Sequence, residues 1–322
     1  MPAADLAALR AVGTAFSGRP FRASTPTFRH HEVEGLEPCR VSRRFPAFSI
    51  TGPACALNCH HCRAAILEPM TPATTPADLD RLVRDGIAAD GLAGFLLSGG
   101  SNRRNEVPFE RFLSTVAALK RDHPGLEVAV HTGLVDHRRA GLLADAGIDV
   151  AMLDIIGDDD TIREVYRLDR PVADFARSLD CLLKAGLRTV PHIVAGLHFG
   201  ELRGEDRALG VIADSAADTV ILVVVMPAFA EPGRFRAPDT TDVARFFGRA
   251  RARLADRTLL LGCARPHGRA RAALDAAALL AGFDGIAYPS EGIMEVARAL
   301  GRSADQAMAC CGLTRNRCAA AA

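Results

Sequence analysis

The sequence predicts an α/β chain folded as a (β/α)8 barrel of the TIM type, complete or nearly so. Three observations predict it. Short apolar, β-branched runs recur from about Phe45 onward, amphipathic helical stretches separate them, and 322 residues suffice for one large barrel. Near-continuous apolar strands are those of a parallel sheet whose outside is covered by helices. Eight runs qualify: "FPAFSIT", "GFLLSG", "EVAVHTG", "DVAMLDI", "LRTVPHIVAG", "DTVILVVVMP", "RTLLLGC" and "DGIAYP". Pro191 in the fifth run is an objection, because proline cannot donate to a central ladder. The helix from Thr75 shows the intervening pattern. Thr75 is its N-cap, Pro76 takes the first helical position, and Leu79, Leu82, Val83 and Ile87 share one face. Residues 1–44 read as an N-terminal extension wrapping the barrel, 45–301 as the barrel, and 302–322 as a cysteine-bearing tail.

Composition excludes several partners. The formal net charge is +1, from 39 basic and 38 acidic residues, and the Arg-rich stretches alternate with Ala and Leu like solvated helix faces. No nucleic acid or anionic membrane surface is expected. Met1 to Phe21 lacks the pattern of a secretory leader, and no window has the apolar length of a membrane span. Nine clustered cysteines in such a chain favour a reducing, cytoplasmic setting and metal ligation over disulfides.

In a parallel barrel the site lies at the C-terminal ends of the strands. The residues there are rich in chemistry: the loop Cys55–Cys62 after the first run, then Ser98-Gly99-Gly100-Ser101, His131, Asp154, Gly196 with His198, Cys263, and Tyr288 after the last. Cys55, Cys59 and Cys62 form C-x3-C-x2-C on one loop. Three thiolates so spaced can each bind a different iron of a [4Fe–4S] cube and leave the fourth iron without a protein ligand. An open iron has no use in a plain electron carrier, but it serves an enzyme whose substrate binds there. The rival reading is a structural zinc site that adds His60 or His61. Both histidines lie between two of the cysteines, where closing a tetrahedron is awkward.

This spacing after the first strand of a βα barrel resembles the radical S-adenosylmethionine (radical SAM) superfamily. The resemblance implies that the open iron binds SAM, whose reductive cleavage yields methionine and a 5′-deoxyadenosyl radical that abstracts hydrogen from an unactivated carbon. It also implies that Gly99 and Gly100 meet the amino end of SAM, with Ser98, Ser101 and Gly196 as further cofactor contacts. Ser101 stands where the family usually has an acidic residue, and His61 where it usually has an aromatic one before the third cysteine.

A second thiol group is expected. Cys263 ends the seventh run at the same mouth, and a tail folded back over the barrel brings Cys310 and Cys311 to it, with Cys318 as a candidate fourth ligand. The alternatives are unrelated buried thiols or a vicinal disulfide. Cys181 reads as a small buried apolar residue and Cys39 as no ligand. The stretches "SITGPACALNCHHC", "LLSGG", "VPHIVAGLHFGE" and "GCARPHGRAR" resemble the biotin-synthase-like radical SAM group, and within it a subunit of the two-component lipoyl synthases. That resemblance implies sulfur insertion into an octanoyl chain on a carrier-protein lysine, with sulfur drawn from an auxiliary [4Fe–4S] cluster. It implies as partners the octanoylated carrier, a second radical SAM subunit, and a ferredoxin- or flavodoxin-type electron donor. His131, Asp154, His192, His198, Arg265 and Tyr288 are the candidate catalytic and positioning residues. Two other readings stand beside this one: a radical SAM enzyme whose extra cysteines relay electrons or are structural, and a non-catalytic metal-binding protein.

Overall fold

The computed structural model describes residues 1–26, 30–39 and 44–313. Its centre is one sheet of eleven parallel strands. All eight predicted runs are strands: β2 (Ala47–Ser49), β4 (Gly94–Ser98), β5 (Glu127–His131), β6 (Val150–Asp154), β7 (Thr189–Ala195), β8 (Thr219–Val224), β9 (Thr258–Leu261) and β10 (Gly285–Ala287). Three strands were not foreseen. These are β1 (Phe21–Ser24), β3 (Thr71–Pro72) and β11 (Ala304–Ala307).

The spatial order is β11-β1-β10-β9-β8-β7-β6-β5-β4-β2-β3. Between the outermost strands β3 and β11 no pairing joins the described residues, so the sheet is a curled, open half-barrel. Two elements of the N-terminal segment, a helix and a strand, join this frame. Helix α1 (Ala3–Thr14) packs on α8 (Thr240–Arg253) and α9 (Arg269–Leu280), and β1 enters the sheet between β10 and β11. The start of the tail also joins the sheet, since β11 runs parallel to β1 from Phe21↔Ala304 to Ser24↔Ala307.

The proline in β7 costs the ladder little. Pro191 pairs in register with Leu153 of β6, but the register of β7 with β8 begins at His192↔Ile221, one residue later, so on that side the missing N–H falls before the ladder starts. The helix α2 (Pro76–Asp90) follows its sequence pattern: Thr75 Oγ1 accepts from Asp78 N at 3.1 Å, Leu79 and Val83 are buried, and Leu82 and Ile87 pack on the core. Among the described residues no helix is long and apolar enough to cross a membrane.

Strand alternation divides the apolar residues into two cores. The larger lies between the sheet and its helices. The smaller fills the inside of the curl with Ala129, Val150, Met152, Val190, Ile221, Val223 and Leu260, joined by Cys310 and Cys311. Two residues beyond Leu96, Ala129, Met152 and Val190 on the same strands stand Ser98, His131, Asp154 and His192. Period two therefore puts these four on the inner face at the C-terminal ends.

Candidate active site

The sulfur loop is fixed by backbone contacts on two sides. Ser49 Oγ donates to Gly52 O at 2.6 Å, and Gly52 takes φ +59°, which turns the chain out of β2. On the β4 side, Ala56 N and Leu57 N donate to Ser101 O at 3.0 and 3.2 Å, and Gly100 N donates to Thr51 Oγ1 at 2.7 Å. A β-carbon on Gly100 would stand 2.6 Å from Cys55 Cα, so only glycine lets the loop rest there. Arg63 and Ala64, with φ +47° and +63°, turn the chain back after Cys62.

The three thiols lie near enough to act on one another electrostatically, with Cys59 and Cys62 desolvated. Burial, and then Cys62 and Cys55, push the Cys59 thiol far up. Cys62 is pushed up to about 11, mainly by burial, with Cys55 and Asp154 adding to it and a backbone hydrogen bond opposing it. Without a metal Cys59 and Cys62 keep their protons; iron would displace them. Among the described residues no three His, Cys, Asp or Glu side chains converge as ligands of one metal ion. His60 is not a spare ligand either. Its ring meets Arg167 Nε at 2.9 Å, Arg234 and Glu231.

Beside the loop lies a polar layer at the inner face. Asp154, at the end of β6, approaches His131 with Oδ1 3.8 Å from Nε2. The rings of His131 and His192 meet edge to face at 5.3 Å. His192 Nδ1 lies 3.0 Å from Val190 O and donates to it, which leaves Nε2 as an acceptor. Burial first, then His131, lowers its pKa to about 4, so the ring is neutral at physiological pH.

The sequence of residues 49–202 matches the family model described as the Radical SAM superfamily. Residues 49–202 carry a radical SAM domain. Solved structures agree on the fold. Methylornithine synthase (PylB) superposes with a TM-score of 0.60 at 12% identity, over 94% of this chain and 88% of that one. The [FeFe]-hydrogenase maturase HydG from Carboxydothermus hydrogenoformans gives 0.59 at 14% identity, over 96% and 73%. SuiB from Streptococcus suis gives 0.51 at 12% identity, over 72% and 51%. No curated protein matches the sequence.

A radical SAM domain implies a [4Fe–4S] cluster and SAM. The donor set fits them: three thiols on a loop for which Gly100 keeps room. Gly99 is less constrained: a β-carbon there would meet a side chain, standing 2.8 Å from Ile50 Cγ1. Gly196, at φ +76°, is a packing turn against Pro238, and its N–H donates to buried Glu205 at 2.7 Å.

The remaining candidates have partners of their own. Arg265, expected to position a substrate, has all its donors taken: Asp275 at 2.5 and 3.0 Å, and the carbonyls of Gly262, Ala287 and Tyr288 at 2.7 to 3.0 Å. It staples the ends of β9 and β10. Tyr288 is fully buried, donates its hydroxyl to Pro26 O and takes φ +50°, so it anchors the N-terminal segment. His198 lies on another wall, hydrogen-bonded to Thr161 Oγ1 at 3.0 Å and Arg203 at 3.2 Å.

The second thiol group is brought together inside the curl. Cys311 contacts Cys310, and its thiol is raised by Cys310, burial and Cys263 in that order. Arg188 Nη1 donates to Gly312 O at 2.8 Å, and a β-carbon on Gly312 would stand 2.5 Å from Met152 Sδ. Cys318 lies outside the described residues. Cys39 is buried, hydrogen-bonded to Thr25 O at 3.2 Å, and Cys181 is buried in α6 (Val172–Lys184).

One residue escaped the sequence reading. Tyr166 stacks on His61, with centroids 4.8 Å apart at 28°, and donates to Asp154 Oδ2 at 3.3 Å. The sole hint was rarity: the chain has 2 tyrosines, Tyr166 and Tyr288.

Proposed function

We propose that the protein is a radical SAM sulfurtransferase, one subunit of a two-component lipoyl synthase acting on an octanoyl-lysine carrier protein. The observation that carries this reading is the meeting of Cys263 with Cys310 and Cys311 inside the curl, on the same half-barrel as the Cys55–Cys62 loop. A domain that only cleaves SAM has no need of a second buried thiol group. Cys55, Cys59 and Cys62 hold the SAM cluster, while Cys263, Cys310 and Cys311 hold an auxiliary cluster. When bound, these groups supply the hydrogen-abstracting radical and the sulfur.

The chain's own residues then have separate tasks. Gly99 and Gly100 let the sulfur loop pack close. Val190, Ile221, Val223 and Met152 line the inner face with apolar surface, which suits an acyl chain and excludes water. His131, Asp154 and His192 orient the polar end, His192 as a neutral acceptor. On the two-component reading this subunit adds one sulfur and leaves the second to a partner radical SAM protein. A ferredoxin- or flavodoxin-type donor supplies the electron.

The test is anaerobic reconstitution, iron and sulfide analysis, and mass spectrometry of an octanoylated carrier peptide given SAM and reductant. Iron near eight per chain with a mono-thiolated peptide supports the proposal. Complete lipoyl formation without a partner excludes the split role. Iron near four with no thiolation, with or without a partner, favours a radical SAM maturation enzyme.

A further inference from the structure

We infer that Tyr166 is a positioning residue that holds the carboxylate of Asp154 at a fixed offset from the Cys55–Cys62 loop. The inference rests on the proposed radical SAM chemistry, and it assigns a task to a residue that no motif covers.

Tyr166 touches both halves of the site. On the loop side, its ring stacks on His61, next to Cys62. Its neighbours grip the same loop. Val165 O accepts from His60 N at 2.9 Å, and Arg167, in the left-handed conformation at φ +56°, turns its guanidinium onto the His60 ring. On the inner side, the hydroxyl of Tyr166 donates to Asp154 Oδ2 while Asp154 Oδ1 faces His131. The Tyr166 hydrogen bond at Oδ2 restrains the carboxylate and leaves Oδ1 turned toward His131, 3.8 Å from Nε2.

Packing alone does not explain the hydroxyl. Tyr166 is 4% exposed, and a phenylalanine would supply the same stack without a buried polar group to satisfy. Asp154 has little need of it for solvation, since its side chain is 27% exposed. What the hydroxyl adds is direction. It ties the end of β6 to the segment that clamps the sulfur loop, so that a molecule held by Asp154 and His131 sits at a set distance from whatever the loop holds. Hydrogen abstraction depends on such placement, and a displacement of about 1 Å can cost on the order of a hundredfold in rate.

Two substitutions separate the ring from the hydroxyl. Tyr166→Phe keeps the stack, and Tyr166→Leu removes both. With reconstituted protein, iron loss to a chelator and the electron paramagnetic resonance spectrum of the reduced cluster with SAM report the loop. The number of 5′-deoxyadenosines formed per thiolated octanoyl peptide reports the offset. Tyr166→Phe should lose iron at the wild-type rate, and its 5′-deoxyadenosine per thiolation should rise about tenfold or more. Tyr166→Leu should also lose iron several times faster and change the spectrum. Asp154→Asn should raise the ratio as Tyr166→Phe does, and the double variant should be no worse than the poorer single. A wild-type ratio in Tyr166→Phe, or additive effects in the double variant, overturns the inference. If the wild type thiolates no octanoyl peptide, the proposed function falls by itself. The loop half is then judged by iron loss and spectrum, where equal behaviour of Tyr166→Phe and Tyr166→Leu overturns it.

Discussion

Cys55 rests on Gly100, whose missing side chain leaves the room: a β-carbon there would stand 2.6 Å from Cys55 Cα and 2.7 Å from its Cβ. Because backbone is in the way, the clash cannot be relieved by a side-chain rotation. Gly100→Ala should therefore displace the first cysteine and leave the protein with less than half the wild-type iron after reconstitution and desalting. Gly99→Ala meets the Ile50 and Thr51 side chains instead, and should lose less. Equal, full iron in both variants would contradict this account of the loop.

Cys263 belongs to the second thiol group, and it raises the Cys311 thiol but is not among the groups acting on Cys59 or Cys62. On the proposed reading Cys263→Ala should keep most 5′-deoxyadenosine formation and lose thiolation. Cys55→Ala, Cys59→Ala and Cys62→Ala should each abolish both. The paired measurements are chromatography of 5′-deoxyadenosine and the mass of the peptide product. Unchanged iron and unchanged product in Cys263→Ala would remove the auxiliary cluster from the proposal.

Arg265 and Asp275 are both fully buried and joined by two hydrogen bonds. Removing one partner of such a pair strands the other charge, at a cost of about 3–5 kcal/mol. Arg265→Met should thus lower the urea midpoint strongly. Lysine should rescue only part of the loss, because it cannot reach Asp275 and three carbonyls together. A variant that folds as stably as wild type but lacks activity would return Arg265 to the list of substrate-contacting residues.

His192 gives the protein a pH dependence with a definite sign. Its folded pKa, about 4, lies below the ordinary histidine value of 6.5. Between those values the unfolded chain takes up a proton that the folded chain refuses. Stability from this group is therefore complete above about pH 6.5 and falls as pH drops toward 4, by at most about 1.4 kcal/mol per pH unit. Urea midpoints of wild type and His192→Gln across pH 4 to 7 check it. The variant should show the shallower slope, and parallel curves would refute the assignment.

Much of the frame was legible because its signals are local. Eight runs of apolar residues became strands, and Thr75 and Pro76 start their helix as the capping pattern requires. The strands β1 and β11 were not legible. "FRAS" and "ADQA" carry no apolar run, and they are strands because the exposed edge of β10 offers one its partners and β1 in turn offers the other. The site divides the same way. C-x3-C-x2-C is a spacing, so it reads directly from the chain. Whether Arg265 faces a substrate or an aspartate is a matter of three dimensions, and here Asp275 has it.

The sequence by itself determined the parallel α/β frame, the end of the sheet where chemistry gathers, and the three-thiol loop, because periodicity and spacing are properties of neighbouring residues. Tertiary structure alone decided that the sheet stays open, that residues 304–307 add a strand, and that Cys310 and Cys311 turn inward to Cys263. It alone placed Tyr166 between His61 and Asp154. Those contacts join segments far apart in the chain, and their energy appears only when the sheet has curled and desolvated them together.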